Sequence, residues 1–93
     1  MRFEWDLRKN AANIRKHHVD FVLAKLVFDD PLALSQQDRI VDGEERWSIL
    51  GLVGRHILFV AFTFDDSEDD EIVRIISARK ATRIERNNYE RAT

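Results

Sequence analysis

Residues 46–64, RWSILGLVGRHILFVAFTF, decide the fold. The second half of this stretch alternates cleanly. Leu58, Val60, Phe62 and Phe64 share one face of an extended chain, and Ile57, Phe59 and Ala61 share the other. Apolar residues on both faces place His56 to Phe64 at the centre of a sheet. The first half, Arg46 to Val53, reads as its partner, with Trp47 and Ile49 on one face. Gly54-Arg55 between them is a two-residue turn of the glycine-first kind, so the halves form an antiparallel hairpin.

Working outward, Asp65 to Glu71 is an acidic loop and Ile72 to Ile76 a further strand. A terminal helix is expected from Ser77 or Ala78 to about Arg91. Upstream, Leu32 to Ser35 reads as a strand that enters a polar loop, Gln36 to Glu44. Phe3-Glu4-Trp5 is a short first strand. Asp6 fits the N-cap of a helix that carries Leu7, Ala11 and Ile14 at i, i+4, i+7 and stops near His17-His18. Asp20 opens a second helix, through Phe28, in which Phe21, Ala24 and Phe28 mark one face, widened by Leu23 and Val27. Asp29-Asp30-Pro31 ends it, because the residue before a proline leaves the α region. The class is α+β: two N-terminal helices, an antiparallel meander, then a C-terminal helix, in one domain spanning residues 1–93.

Composition supports that reading. Apolar residues make up 44% of 93, enough for a core, and charged residues 34%. The absence of cysteine removes disulfides, thiolate zinc sites and cysteine nucleophiles, and points to the cytoplasm. The longest apolar run, Ile57 to Phe62, is too short to span a bilayer, so no membrane partner is expected. The net charge of −2 conceals basic ends and an acidic middle. Residues 2–25 hold six bases against three acids, 29–71 three against twelve, and 72–93 six against two.

Candidate chemistry is sparse. On a helix starting at Ser77, Arg79, Arg83 and Arg86 share one stripe, with Ala81, Ile84, Asn88 and Ala92 turned to the sheet. Such a stripe either grips phosphates or is a solvated face neutralised by Glu90 and nearby acids. Arg46 and His56 sit at opposite ends of the hairpin. His56 is either a general acid or base or a solvated turn neighbour. His17-His18 fits helix capping better than metal binding. The acidic loop lacks the glycine and ligand spacing of a calcium loop. Trp5 and Trp47 stand in strand contexts that suit the core. No metal site and no cofactor is expected.

In order and spacing the chain resembles the BrnT family, the toxin half of bacterial type II toxin–antitoxin pairs. The resemblance is carried by Phe3-Glu4-Trp5-Asp6, Lys9, Asn13 and Lys16-His17-His18-Val19-Asp20-Phe21. It continues through Phe28-Asp29-Asp30-Pro31, Glu45-Arg46, Gly51 and Arg74-Ile75-Ile76-Ser77-Ala78-Arg79, and closes with Ala81, Arg83, Glu85, Arg86 and Tyr89. His18 departs from it: the family commonly has glycine there, which favours a left-handed helix stop.

The resemblance implies a RelE-like fold and a ribonuclease that arrests translation. It also implies a BrnA-like ribbon-helix-helix antitoxin, with operator DNA contacted only through the antitoxin complex. Its C-terminal motif contains Arg79, Arg83 and Arg86, and its strand motif contains Glu45-Arg46. The chemistry expected is metal-independent RNA cleavage by attack of the 2′-hydroxyl on the neighbouring phosphorus. Arg79 and Arg83, with Arg46, stabilise the phosphorane, and Glu45 or His56 serves as base or acid. Lys9, Lys16, Lys80 and Arg86 extend the RNA-binding surface. Antitoxin is expected on the arginine stripe. The rival readings are a binding module without chemistry and a degenerate toxin kept for operon repression.

Overall fold

The computed structural model describes residues 1–66 and 70–92. Ser67, Glu68 and Asp69 of the acidic loop lie outside the described residues. Five strands form one sheet in the order β1-β5-β4-β3-β2. They are β1 (Arg2–Glu4), β2 (Leu34–Val41), β3 (Glu44–Val53), β4 (His56–Asp65) and β5 (Ile72–Lys80). The helices are α1 (Leu7–His17), α2 (Phe21–Ala24), extended by a 3₁₀ segment (Lys25–Asp29), and α3 (Arg83–Ala92). β4 is central, as its two apolar faces require.

The α+β class stands, but the arrangement departs from a pure antiparallel meander of RelE-like kind. β1 pairs parallel with β5, Phe3 opposite Val73, so the sheet is mixed. β2 runs on to Val41 where a polar loop was expected, because Asp42-Gly43 forms the turn into β3 with both residues at positive φ. An Asp-Gly pair is favoured at such a turn. β5 continues to Lys80 where a helix was expected, and α3 begins only at Arg83. Its start is fixed by a capping box. Glu85 Oε1 accepts the Thr82 amide at 2.8 Å, and the Glu85 amide donates to Thr82 Oγ1 at 3.2 Å.

One face of the sheet carries the core. Ile49, Leu58, Val60, Phe62, Val73, Ile75 and Ala78 meet Phe21, Ala24 and Val27. Trp5 and Trp47 are partly buried against this cluster, Trp5 edge-on to Phe21. Gly51 allows the 3₁₀ segment to lie close on β3. A Cβ there would come 2.9 Å from Val27 Cβ.

α1 packs differently from expectation. Its stripe of Leu7, Ala11 and Ile14 faces outward, and Leu7 is 79% exposed. The residue it buries is Asn13. The Asn13 side chain donates to the carbonyls of Val19 (2.9 Å) and Ala78 (2.8 Å) and accepts the Ala78 amide (3.1 Å). β1 covers β5 only as far as Arg74, so the edge of β5 beyond it lacks a strand neighbour among the described residues. Asn13 supplies the missing donor and acceptor there. Asn10 adds a second link, donating to Asp20 Oδ1 and accepting the Phe21 amide.

α1 ends in a left-handed residue, His18, with φ 60° and ψ 30°. The turn that glycine favours is thus made by histidine, at a steric cost of about 1 kcal/mol.

Two stability changes follow. Asn13→Ala strands three buried backbone groups and is expected to cost about 2–4 kcal/mol in urea unfolding. A loss below about 1 kcal/mol would contradict the pairing role. His18→Gly is expected to raise stability by about 0.5–1 kcal/mol, and no gain would show that the histidine is unstrained.

Candidate functional site

The Asn13 pairing presses one face of α1 against the bare edge of β5. That face carries Lys9, Ala12, Asn13, Lys16 and His17, spaced i, i+3, i+4, i+7, i+8. With Ile76 and Ser77 they line a groove of about 220 Å³. The sheet helps shape it. The β4–β5 register shifts where Ala61 pairs with Ser77 and Phe62 with Ile75, which leaves Ile76 as an extra residue. Lys9 and Lys16 are exposed and His17 is half-buried. Two lysines and a histidine therefore border the groove beside the β5 edge.

From Ser77 the groove opens onto the second face of the sheet, opposite the core. Register gives this face three rows. Ser48, Ala61 and Ser77 form a middle row of small side chains. On one side Arg46 and Arg74 flank Thr63 on neighbouring strands. On the other, Leu50, Phe59 and Arg79 lie in line. The outer rows are four residues apart on β4, roughly 13 Å. The Nε of Arg46 is buried and has no hydrogen-bond partner among the described residues.

Arg79 is held firmly. Its guanidinium lies 4.2 Å from the Phe59 ring centroid and grips Glu85 at both oxygens, at 2.8 and 3.0 Å. The Arg79 bond holds the Glu85 carboxyl below its usual range, and Glu85 in turn raises the guanidinium. Glu85 and Asn88 of α3, with Gln36, Asp38, Ser48 and Phe59, line a second groove of about 380 Å³ on this face.

A family model described as "Ribonuclease toxin, BrnT, of type II toxin-antitoxin system" matches residues 5–85. The chain belongs to the BrnT family. No curated protein matches it. The matched stretch holds the α1–β5 groove, all three rows and the Arg79–Glu85 pair. BrnT membership makes the chain a ribonuclease toxin of a type II toxin–antitoxin system.

Several expected site residues do not converge. Arg79 lies on β5, so Arg79, Arg83 and Arg86 share no helical stripe. Glu85 and Tyr89 form the inner side of α3, which leaves Arg83 and Arg86 exposed on its outer side. Ile84, expected against the sheet, is 72% exposed, whereas Asn88 does face a groove. Glu45 alternates with Arg46 and so points to the opposite face. His56 pairs with Val53 at the far end of the hairpin from Arg46, on the core-facing side of β4. Lys80 is exposed at the end of β5. Lys9 and Lys16 do meet, in the groove. Arg74, Phe59, Ser77 and His17 join the site without having been singled out for it. For His17 the signal was its place in the Lys9, Asn13, Lys16 spacing.

α3 is anchored by Asp30. One carboxylate oxygen accepts the Leu32 amide (2.9 Å), and the other accepts the Leu52 amide (2.8 Å) and the Tyr89 hydroxyl (2.5 Å). The Tyr89 bond holds the Asp30 carboxyl below its usual value, and Asp30 pushes the Tyr89 hydroxyl up to about 12. The phenol must be protonated to donate. Its contribution is complete below the unfolded tyrosine value of about 10 and is lost as pH rises through about 12. For Asp30 the contribution is present above about 3.9 and lost as pH falls below it. Tyr89→Phe is expected to cost about 2 kcal/mol at neutral pH, with the gap to wild type closing above about pH 10. A gap that persists unchanged at pH 12 would mean that the bond adds nothing.

Proposed function

We propose that this BrnT-family toxin is a metal-independent endoribonuclease whose RNA backbone follows the α1–β5 groove onto the middle row of the sheet. The observation that carries this reading is the groove itself, lined by Lys9, Lys16, His17 and Ser77. Lys9 and Lys16 bind phosphate as mobile point charges. Small side chains at Ser48, Ala61 and Ser77 leave room for a strand between the arginine rows. The Arg79 guanidinium covers the Phe59 ring, and its outer plane is itself a surface on which a base can stack.

In the reaction, the 2′-oxygen loses its proton to a base and bonds to the adjacent phosphorus. The bond from phosphorus to the 5′-oxygen then breaks, and that oxygen takes a proton from an acid. The products are a 2′,3′-cyclic phosphate and a 5′-hydroxyl. Arg79, preset by Glu85, stabilises the charge on the phosphorane, and Arg46, in the other row, holds a neighbouring phosphate. His17 is the proton-transfer group: it is the imidazole that lines the groove. Glu45 and His56 are set aside because they lie off the cationic surface. Arg83, Arg86 and Lys80 give outlying contacts to longer RNA. The activity arrests translation in the cytoplasm. A BrnA-like ribbon-helix-helix antitoxin neutralises it, and operator DNA is reached only through that complex.

Cleavage of a short RNA by purified protein tests this. His17→Gln is expected to lower kcat by about a hundredfold with little change in KM, and Arg79→Ala by a similar factor. Lys9→Ala and Lys16→Ala should instead raise KM, and each should reduce the salt slope of binding by about one. EDTA should leave the rate unchanged. Full activity in His17→Gln, or loss of cleavage in EDTA, would overturn the mechanism. RNA that is bound but never cut would favour the non-catalytic binding module.

A further inference from the structure

The helical layer does not cover the whole core face. Beyond the 3₁₀ segment a cavity of about 290 Å³ stays open, walled by Phe28, Trp47, Ile49, Phe62, Phe64 and Val73. Its walls are almost wholly apolar. Trp47, Phe28 and Phe64 are each only half-buried around it. An apolar hole of this kind on a small protein marks a place where another chain inserts a side chain. Its aromatic walls lie on the face of the sheet opposite Arg46 and Arg79, and the two surfaces adjoin only along β2, where Ser35 also lines the groove of Gln36, Ser48 and Glu85.

Two further observations identify the occupant. First, Ser35 at the cavity mouth belongs to β2, the terminal strand of the sheet. Residues 35–40 of β2 are exposed, and no strand lies on its outer side among the described residues. Such an edge accepts an added strand. Second, acids outnumber bases around it. Asp29 follows Phe28, Glu45 shares the face of Trp47, and Asp38, Asp42 and Glu44 lie along the same edge, against Arg39 on β2 and the amino terminus at Met1; all are exposed. Pairing with a second copy would set these acids against one another.

We infer that the cavity and the β2 edge together bind an extended, basic segment of the antitoxin, which pairs along β2 and inserts an apolar side chain between Trp47 and Phe28. This rests on the type II toxin–antitoxin reading. It moves the antitoxin contact away from the arginines of α3 and β5, and makes the anchoring chemistry apolar and basic.

The test is titration calorimetry of the full-length toxin with its cognate antitoxin. Ser35→Arg places a cation at the cavity mouth, and Asp29→Lys reverses the charge next to Phe28. Each is expected to weaken binding at least tenfold, and Asp29→Lys to leave RNA cleavage unchanged. Both sites are exposed, and thermal unfolding checks that the variants fold. An independent readout is Trp47 fluorescence in a Trp5→Phe background, which should shift to the blue on antitoxin addition. Binding within twofold of wild type in both variants, with no Trp47 shift, would overturn the inference and leave the family reading intact. A free toxin dimer that Ser35→Arg dissociates would overturn it in favour of self-pairing. No antitoxin binding by wild type would remove the toxin–antitoxin reading and this inference together. Absence of cleavage in the wild type, with both variants still weakening antitoxin binding, would count against the nuclease mechanism and leave the docking surface standing.

Discussion

A single carboxamide holds the architecture of the site. Asn13 answers both the N–H and the C=O of Ala78, and so stands in for a neighbouring strand at the bare edge of β5. The same amide group reaches the Val19 carbonyl and fixes the turn after α1. Without it, β5 would present unpaired backbone groups beside a helix, in a chain too small to spare that stability. With it, α1 has only one possible rotation. Lys9, Lys16 and His17 must face the sheet edge, and Leu7, Ala11 and Ile14 must face outward. The groove is thus a consequence of how one polar side chain is satisfied.

The two faces of the sheet divide the remaining work. The core face is built by alternation along β4 and by the close approach of Val27 to Gly51. Asp30, at the end of that 3₁₀ segment, ties it to β3 and to Tyr89 of α3. α3 is thereby held against the second face, where Glu85 can reach Arg79. The pairing with Glu85 directs the guanidinium and partly offsets its charge, whereas the buried Nε of Arg46 has no hydrogen-bond partner among the described residues. The two arginines are therefore not equivalent, although they resemble one another in sequence.

Strands and turns were legible where one periodicity was unopposed. β4 with its two apolar faces, the Gly54-Arg55 turn, the Asp6 and Asp20 caps and the α+β class all followed from local pattern. Errors arose where two patterns competed. Leu7, Ala11 and Ile14 mark an apolar stripe, and Asn13 lies about 120° from it. Helical spacing alone does not say that a buried amide outweighs three hydrophobes when a strand edge needs pairing. Ala78-Arg79-Lys80-Ala81 has helix-favouring composition, yet Thr82 and Glu85 carry the capping signature three residues apart and mark the true start. The long β2 strand was hidden by its polar residues, and only Asp42-Gly43 signalled the hairpin. The expected arginine stripe dissolves for the same reason as the helix: Arg79 belongs to β5, whereas Arg83 and Arg86 lie on α3.

The central claim is that RNA lies along the edge Asn13 creates. Titrating amide-resolved NMR spectra with a 2′-deoxy-substituted, uncleavable oligonucleotide tests it most directly. The largest shifts are expected at Lys9, Lys16, His17, Ser77 and Arg79. Shifts confined to Arg83, Arg86 and the outer side of α3, with the α1–β5 edge silent, would contradict it.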